Sequence, residues 1–303
     1  MSPIKSLIVI AGPTAVGKTK HAIEVAKYFN TVILSADSRQ CFKELNIGVA
    51  RPSEQELKMV PHFFIASHHL TEEINAAWYE QYAINLLEEQ FKKHDIIVVT
   101  GGTGLYIKAL TEGLDNVPAI ANDIRDEIIS NYNKLGIEWL KEQLILQDHL
   151  FAEKGEMQNP QRMIRALEVV RTTGNSILSY HNKEKTPRNF NIFQIGLERP
   201  RDFLYQNINK RVDEMIQGGL VDEVTNLIPF KGFNALQTVG YKELFEYFDG
   251  RIGLEKAIEF IKQHTRQYAK RQMTWFKKQT GFTWIDLQKT NTIVPAVAAM
   301  IEK

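Results

Sequence analysis

Leu7-Ile-Val-Ile-Ala11 runs directly into Gly12-Pro-Thr-Ala-Val-Gly-Lys-Thr19, and the reading of this stretch decides the fold. The first five residues are apolar and mostly β-branched, which predicts a short buried strand. The next eight spell G-x-x-x-x-G-K-T, after which Ala22, Ile23, Val25, Ala26 and Phe29 recur at helical spacing. A glycine-bounded turn between a buried strand and a helix is the setting that a phosphate-binding loop requires. Its physics is anion capture. Backbone N–H groups of Gly12, Pro13, Thr14, Ala15, Val16, Gly17, Lys18 and Thr19, the proline apart, can converge on phosphate oxygens. The helix N-terminus adds partial positive charge and Lys18 a full one. Thr19 is placed to hold Mg²⁺, the expected cofactor.

A phosphate loop does not name a reaction. A nucleotide hydrolase would place a magnesium-holding Asp at the end of an apolar strand. The apolar strand Ile96-Ile-Val-Val99 instead runs into Thr100-Gly-Gly-Thr-Gly104, its one carboxylate, Asp95, comes before it, and the chain has no Asn-Lys-x-Asp guanine signature. The remaining carboxylate near a strand end is Asp37, just past the apolar run Val32-Ile-Leu34. In an open α/β sheet the C-terminal strand ends line the ligand crevice, so Asp37 should face whatever the loop holds. The same spacing also suits a turn or helix-capping Asp.

Working outward, strands are expected near residues 7–11, 32–35, 96–100, 191–197 and 283–287 with helices between, an α/β parallel-sheet pattern. From about Val117 to Thr186 the strand signal vanishes, and 120–132, 137–146 and 160–171 read as amphipathic helices. The expected organisation is a core of residues 1–115 and 189–303, the second part ending in a basic helix, with a helical insertion over 116–188. The polar loop His181–Arg188 is the expected hinge back to the core. The chain has 303 residues, 44% of them hydrophobic and 24% charged, so it can bury a core and is not disordered. Lys and Arg number 37 against 36 Asp and Glu, so an anionic partner must be met by a local patch. No apolar run approaches a membrane span, and no signal peptide precedes the first strand, which predicts a cytoplasmic protein. The single Cys41 excludes an internal disulfide and reads as a small packing residue. His62, His68 and His69 lack acidic or Cys companions at metal-ligand spacing.

Further blocks make the chain recognisable. Gly12–Thr19, Asp37-Ser38-Arg39-Gln40, Asn46-Ile-Gly48, Gly101-Gly-Thr-Gly-Leu-Tyr106, Asn159-Pro-Gln-Arg162, Arg165-Ala-Leu-Glu-Val169, Val239-Gly-Tyr241 and Thr265–Trp275 occur in that order. Together they resemble the bacterial tRNA dimethylallyltransferases, over residues 7 to 285. The resemblance implies transfer of the isoprenoid of dimethylallyl diphosphate to N6 of the adenosine 3′ of the anticodon, with release of diphosphate and no use of ATP. It implies a monomer with no protein partner and no membrane, and a channel between core and insertion that tRNA enters from one side and the isoprenoid from the other.

The residues suit that chemistry. The adenine N6 lone pair is delocalised into the ring, so a carboxylate must take its proton as the bond forms, and Asp37 is the candidate. Departing diphosphate calls for the loop amides, Lys18, Mg²⁺ on Thr19 and an arginine, by resemblance Arg211. The resemblance also implies tRNA contacts from Asp37, Ser38, Arg39, Gln40, Thr103, Gln161, Arg162 and Arg165. Asn159 and Pro160 specify a helix start, and Met163, Ala166, Leu167 and Val170 form its buried stripe, leaving Gln161, Arg162 and Arg165 on the opposite arc. Arginine suits stacking on unpaired bases and binding phosphate.

The local patch is expected on a helix beginning near Leu254. Between Lys262 and Lys278 there is no Asp or Glu, and Lys262, Arg266, Lys270 and Lys277 fall in one arc. Ile258, Ile261, Tyr268, Trp275 and Phe276 form the packing face beside it. Arg266 and Lys270 are therefore expected on tRNA phosphates. Two departures from the family pattern stand out. Cys41-Phe42 replaces Val-Tyr, and Pro61-His-Phe-Phe64 replaces Pro-His-His-Leu. The competing reading is a small-molecule or nucleoside kinase, which also carries a phosphate loop but has no use for the Thr265–Trp275 block. A non-catalytic RNA-binding module would leave the phosphate loop unexplained.

Overall fold

A computed structural model describes residues 5–118, 120–181 and 185–302. In chain order the elements are β1 (Ser6–Ala11), α1 (Lys18–Tyr28), β2 (Ile33–Ser35), α2 (Glu54–Met59), β3 (His62–Phe63), α3 (Ala76–Gln90), β4 (Ile96–Gly101) and α4 (Gly104–Glu112). There follow α5 (Asn122–Gln147), α6 (His149–Lys154), α7 (Pro160–Thr173), β5 (Asn191–Glu198), α8 (Arg201–Gln217) and α9 (Leu220–Leu227). The chain closes with α10 (Tyr241–Phe248), α11 (Leu254–Lys277), β6 (Phe282–Asp286) and α12 (Val294–Ile301).

The six strands form one sheet in the order β3-β2-β4-β1-β5-β6, every pairing parallel. β1 lies between β4 and β5, with Ser6 to Ala11 in register with Ile96 to Gly101 on one side and Asn191 to Gly196 on the other. Leu7 to Ala11 are wholly buried, so the central strand reads as an unbroken apolar run rather than an alternation. Its residues nevertheless alternate between two cores. Leu7 and Val9 pack with Tyr79, Leu87, Ile107 and Leu110, whereas Ile8 and Ile10 pack with Ala22, Val25, Leu204 and Val297. The chain order reverses at β1, which opens the crevice at its C-terminal end, where the phosphate loop begins.

β2 and β4 approach closely beside that crevice. A Cβ added at Gly101 would lie 2.2 Å from Ala36 O, on backbone that the Ala36 N to Thr100 O bond (2.7 Å) holds in place. Gly101→Ala should therefore destabilise the protein by at least about 1–3 kcal/mol, read as a lower denaturant midpoint at unchanged slope. An unchanged midpoint would contradict this packing.

The strand expected from sequence at each of five places is present. β3 has no counterpart among the strands expected from sequence, because only His62 and Phe63 pair, with Ile33 and Leu34, too briefly to leave a periodic signal. Phe64, one of the departures from the family pattern, enters an aromatic core with Tyr79 (centroids 5.1 Å) and Tyr82 (5.2 Å).

The described chain divides into two compact units, Met1–Glu112 with Pro187–Lys303, and Gly113–Thr186. The second unit is helical and closes around Ile128, Leu140, Leu144, Phe151, Met163 and Leu167. The two helices expected over 120–132 and 137–146 are the halves of α5, separated where Gly136 takes φ 78° and ψ −168°. Residues 182–184 of the expected hinge lie outside the described residues. Arg188 at its end is an anchor of the first unit, donating to Leu110 O (2.9 Å), Ala109 O (2.7 Å) and Glu80 (2.7 Å).

Candidate active site

Gly12 leaves β1 with φ 154°, and a side chain there would meet Leu197 O at 2.8 Å. Gly17, in the left-handed region at φ 108°, precedes α1 and supplies no side-chain cap, so the first-turn amides have no such partner. Lys18 folds back to donate from Nζ to Gly12 O (3.0 Å) and Pro13 O (2.7 Å). Thr19 follows it on the wall of a cavity of about 420 Å³.

Side chains from α8, the turn before it and α11 grip the loop from outside. Arg199 Nε donates to Val16 O (3.3 Å), Asn207 Nδ2 to Ala15 O (3.4 Å) and Arg211 Nη1 to the Thr14 hydroxyl (3.3 Å). Arg211, expected near the loop only by resemblance, is thus brought there by α8. From α11, Gln272 accepts the Thr14 N–H (2.8 Å) and donates to Gly102 O (2.9 Å). Burial, and then the neighbouring Arg211 guanidinium, holds the Lys18 ammonium down to about 7, with Asp37 pulling the other way. Burial likewise lowers Arg211 from its ordinary value. Two cations crowded against each other in a recess form a strongly anion-seeking end of the cavity.

Asp37 belongs to a turn beside the phosphate loop. Its Oδ1 accepts from Arg39 N (2.9 Å) and Gln40 N (3.3 Å), which makes it a turn residue, and it also lines the same cavity as Lys18 and Arg211. Ser38 N donates to the Thr103 hydroxyl (3.0 Å), so Thr103 fastens this turn to the start of α4. Gln40 donates to Val49 O (3.2 Å) and Ala50 O (3.0 Å), and both Arg39 and Gln40 line the cavity. Cys41 is wholly buried, and burial pushes its thiol up to about 12, as a packing residue requires.

Apolar side chains share the lining: Ile208, Val212 and Met215 of α8, with Val239 and Ile261, and of these Val212, Met215, Val239 and Ile261 belong to one core. Loops beside the cavity are tied together by Glu223, which accepts from Asn46 N (3.2 Å), Ile47 N (2.7 Å), Gly48 N (3.1 Å) and the Tyr241 hydroxyl (2.7 Å). A side chain at Gly48 would strike the Tyr241 ring at 2.6 Å. Two of the sequence blocks that carry the resemblance, Asn46–Gly48 and Val239–Tyr241, are therefore one structural joint. Glu223 and Gln272 carry no local signal, since a single Glu or Gln on an amphipathic helix is unremarkable in sequence.

The basic stripe of α11 differs from the expected free cationic arc. Lys262 pairs with Asp213 (2.5 Å), Lys277 pairs with Glu198 (2.7 Å) and sits over the Trp284 ring, and Arg266 donates to Asn209 (2.7 Å). The acid-free segment finds its counter-charges on α8 and β5, a pairing that periodicity within one helix cannot reveal. Lys270 remains exposed. Tyr268, expected on the packing face, is 38% exposed and lines the cavity.

In the helical unit Gln161 is exposed and Arg162 pairs with Glu156 (2.5 Å) while staying largely exposed. Arg165 is held by the buried Glu168 (3.1 Å), so the expected arc presents one arginine more freely than the other. Among the described residues no cluster of three His, Cys, Asp or Glu could hold a metal, and the three histidines have separate partners: Val60 O, Ser67 and Glu44.

With this geometry in hand, comparison with known proteins is direct. The profile of the family described as IPP transferase matches residues 40–279. A tRNA dimethylallyltransferase of Christiangramia forsetii is 46% identical over 94% of each chain, and tRNA dimethylallyltransferase 1 of Bacteroides thetaiotaomicron is 42% identical over 95% of this chain and 94% of its own. The crystal structure of a tRNA isopentenylpyrophosphate transferase from Bacillus halodurans, 34% identical, superposes with a TM-score of 0.72 over 98% of this chain and 97% of that one. A eukaryotic dimethylallyltransferase acting on tRNA, 27% identical, superposes at 0.80 over 97% of this chain and 77% of that one. The chain belongs to the IPP transferase family, alongside the tRNA dimethylallyltransferases.

Proposed function

We propose that this protein transfers the dimethylallyl group of dimethylallyl diphosphate to N6 of the adenosine 3′ of the anticodon in tRNA. The observation that carries the reading is one cavity lined by the Lys18 and Arg211 cations, by the apolar Val212, Met215, Val239 and Ile261, and by the Asp37 carboxylate. The diphosphate belongs against the cations and the isoprenoid against the apolar side chains. As N6 bonds to C1 of the isoprenoid, the C1–O bond breaks and its electron pair leaves with diphosphate. The Asp37 carboxylate takes the N6 proton. Lys18, the loop amides and Arg211 stabilise charge developing on the leaving oxygens.

Mg²⁺ fits the donors present. Thr19 and Thr100 hydroxyls and Asp37 supply hard oxygens, and the lack of an acidic cluster among the described residues suits an ion whose remaining ligands are diphosphate oxygens and water. Thr19 would hold it, and bound there it would neutralise charge on the diphosphate. The reading places the enzyme beside tRNA in the cytoplasm; among the described residues no helix is long and apolar enough to cross a membrane.

The test is incubation with Mg²⁺, dimethylallyl diphosphate and unmodified tRNA, followed by mass analysis of the nucleosides. One prenyl increment on adenosine is expected. Consumption of ATP without that increment would favour a kinase.

Two further results are expected. Lys18, held down to about 7, is mostly neutral at pH 8, and a bound polyanion would charge it. Inorganic diphosphate should then take up about one more proton at pH 8 in the native enzyme than in Lys18→Arg, whose guanidinium does not titrate. Its affinity should fall as pH rises above 7. Calorimetry in buffers of different ionisation enthalpy measures the uptake, and equal uptake by both proteins would contradict the assignment. For tRNA, Lys270→Ala should weaken binding across sequences and flatten the plot of log K against log salt by roughly one unit. Arg266→Ala should flatten it less, because Asn209 already holds that guanidinium. An unchanged slope for Lys270→Ala would return α11 to a solvated face.

A further inference from the structure

Gln272 lies in the middle of the most basic stretch of the chain, yet it is 7% exposed and faces inward. It joins three elements: its own helix α11, the phosphate loop through Thr14 N, and the turn after β4 through Gly102 O. Thr14 in turn accepts the Arg211 guanidinium on its hydroxyl. The continuous path is Gln272 to Thr14 to Arg211, two hydrogen bonds long, and it ends on the cation expected at the leaving diphosphate.

Resting on the prenyl-transfer reading, we infer that Gln272 is a positioning residue for the leaving group: it fixes Thr14, and through Thr14 the Arg211 guanidinium. Only a side chain with both an acceptor and a donor at one tip makes these bonds. A carboxylate would accept the Thr14 N–H but could not donate to Gly102 O, and an ammonium would do the reverse. The close fit leaves the amide little freedom, since a Cβ at Gly102 would lie 2.3 Å from Gln272 Nε2 and 3.8 Å from Lys18 Nζ. The Tyr268 phenol lies one helical turn away on the same helix and lines the same cavity. The arrangement also means that the Thr14 amide is committed to Gln272, so anion binding at this part of the loop leans on Arg211.

The role separates from that of the outward cations on the same helix. Gln272→Met, close to isosteric, should weaken inorganic diphosphate and lower kcat, each about tenfold, with tRNA affinity and its salt slope unchanged. In an Arg211→Gln background the same substitution should change diphosphate binding less than about twofold, because the group it positions is already gone. Equal losses in both backgrounds would overturn the inference, as would a change in the tRNA salt slope. Should Gln272→Met not fold, Gln272→Asn retains the amide but is one methylene too short to span both partners, and the same cycle with the same expected losses applies. Lys18→Ala separates the two levels. If it weakens diphosphate and Gln272→Met does not, the positioning role alone fails. If neither weakens diphosphate, the diphosphate reading of the cavity fails with it.

Discussion

Asp37→Asn should lower the turnover of prenyl transfer by about 10²–10⁴-fold while tRNA binds as before. The substitution separates chemistry from structure at this position. Asp37 Oδ1 accepts two backbone amides, from Arg39 and Gln40, and the carbonyl oxygen of Asn can accept both. The turn that carries Ser38 to Gln40 therefore survives, and what disappears is the ability to take a proton from N6. Asp37→Ala would remove both functions and confuse them. Single-turnover rates with saturating tRNA, together with tRNA affinity measured separately, give the answer. Turnover within a few fold of the native enzyme would remove Asp37 from the role of base.

Arg211→Gln should lower kcat by about 10²–10³-fold, in line with loss of one preorganised donor to a developing charge. Gln is two bonds shorter and does not reach the Thr14 hydroxyl that Arg211 Nη1 meets at 3.3 Å, so the substitution removes the positive charge together with this outer contact to the loop. A second consequence follows from electrostatics. Arg211 is the charge that, after burial, holds Lys18 down, so its removal should raise the Lys18 value above about 7 and move the fall in diphosphate affinity to higher pH. A uniform loss of affinity at every pH, with kcat preserved, would assign Arg211 to ground-state binding alone.

The phosphate loop and its flanking strand and helix are legible in sequence because all of their determinants are local: a β-branched run, two glycines at fixed spacing and an apolar helical period. Asp37 is legible for a related reason, since it follows a strand and strand ends converge. The helical unit is readable down to the break at Gly136, where one residue in the left-handed region separates two periodic stretches. Arg211 is different. Its helix has an ordinary charged face, and only the fold brings that face over Thr14. The same holds for Gln272, whose partner Thr14 lies 258 residues away, and for Glu223, whose partner Ile47 lies 176 residues away. The cationic arc on α11 shows the opposite failure. A wheel drawn for one helix counts its charges correctly, but Asp213 and Glu198, which balance two of them, come from other elements.

The most direct test of the account uses two anticodon stem-loops that differ at one position. With adenosine 3′ of the anticodon, enzyme, Mg²⁺ and dimethylallyl diphosphate should yield one prenyl group per stem-loop, located on that nucleoside by mass spectrometry, with one equivalent of diphosphate released. With inosine there, which carries an oxygen in place of N6, no transfer should occur. Prenylation of the inosine stem-loop, or diphosphate released without any prenyl group on the adenosine one, would contradict transfer to N6 at this site.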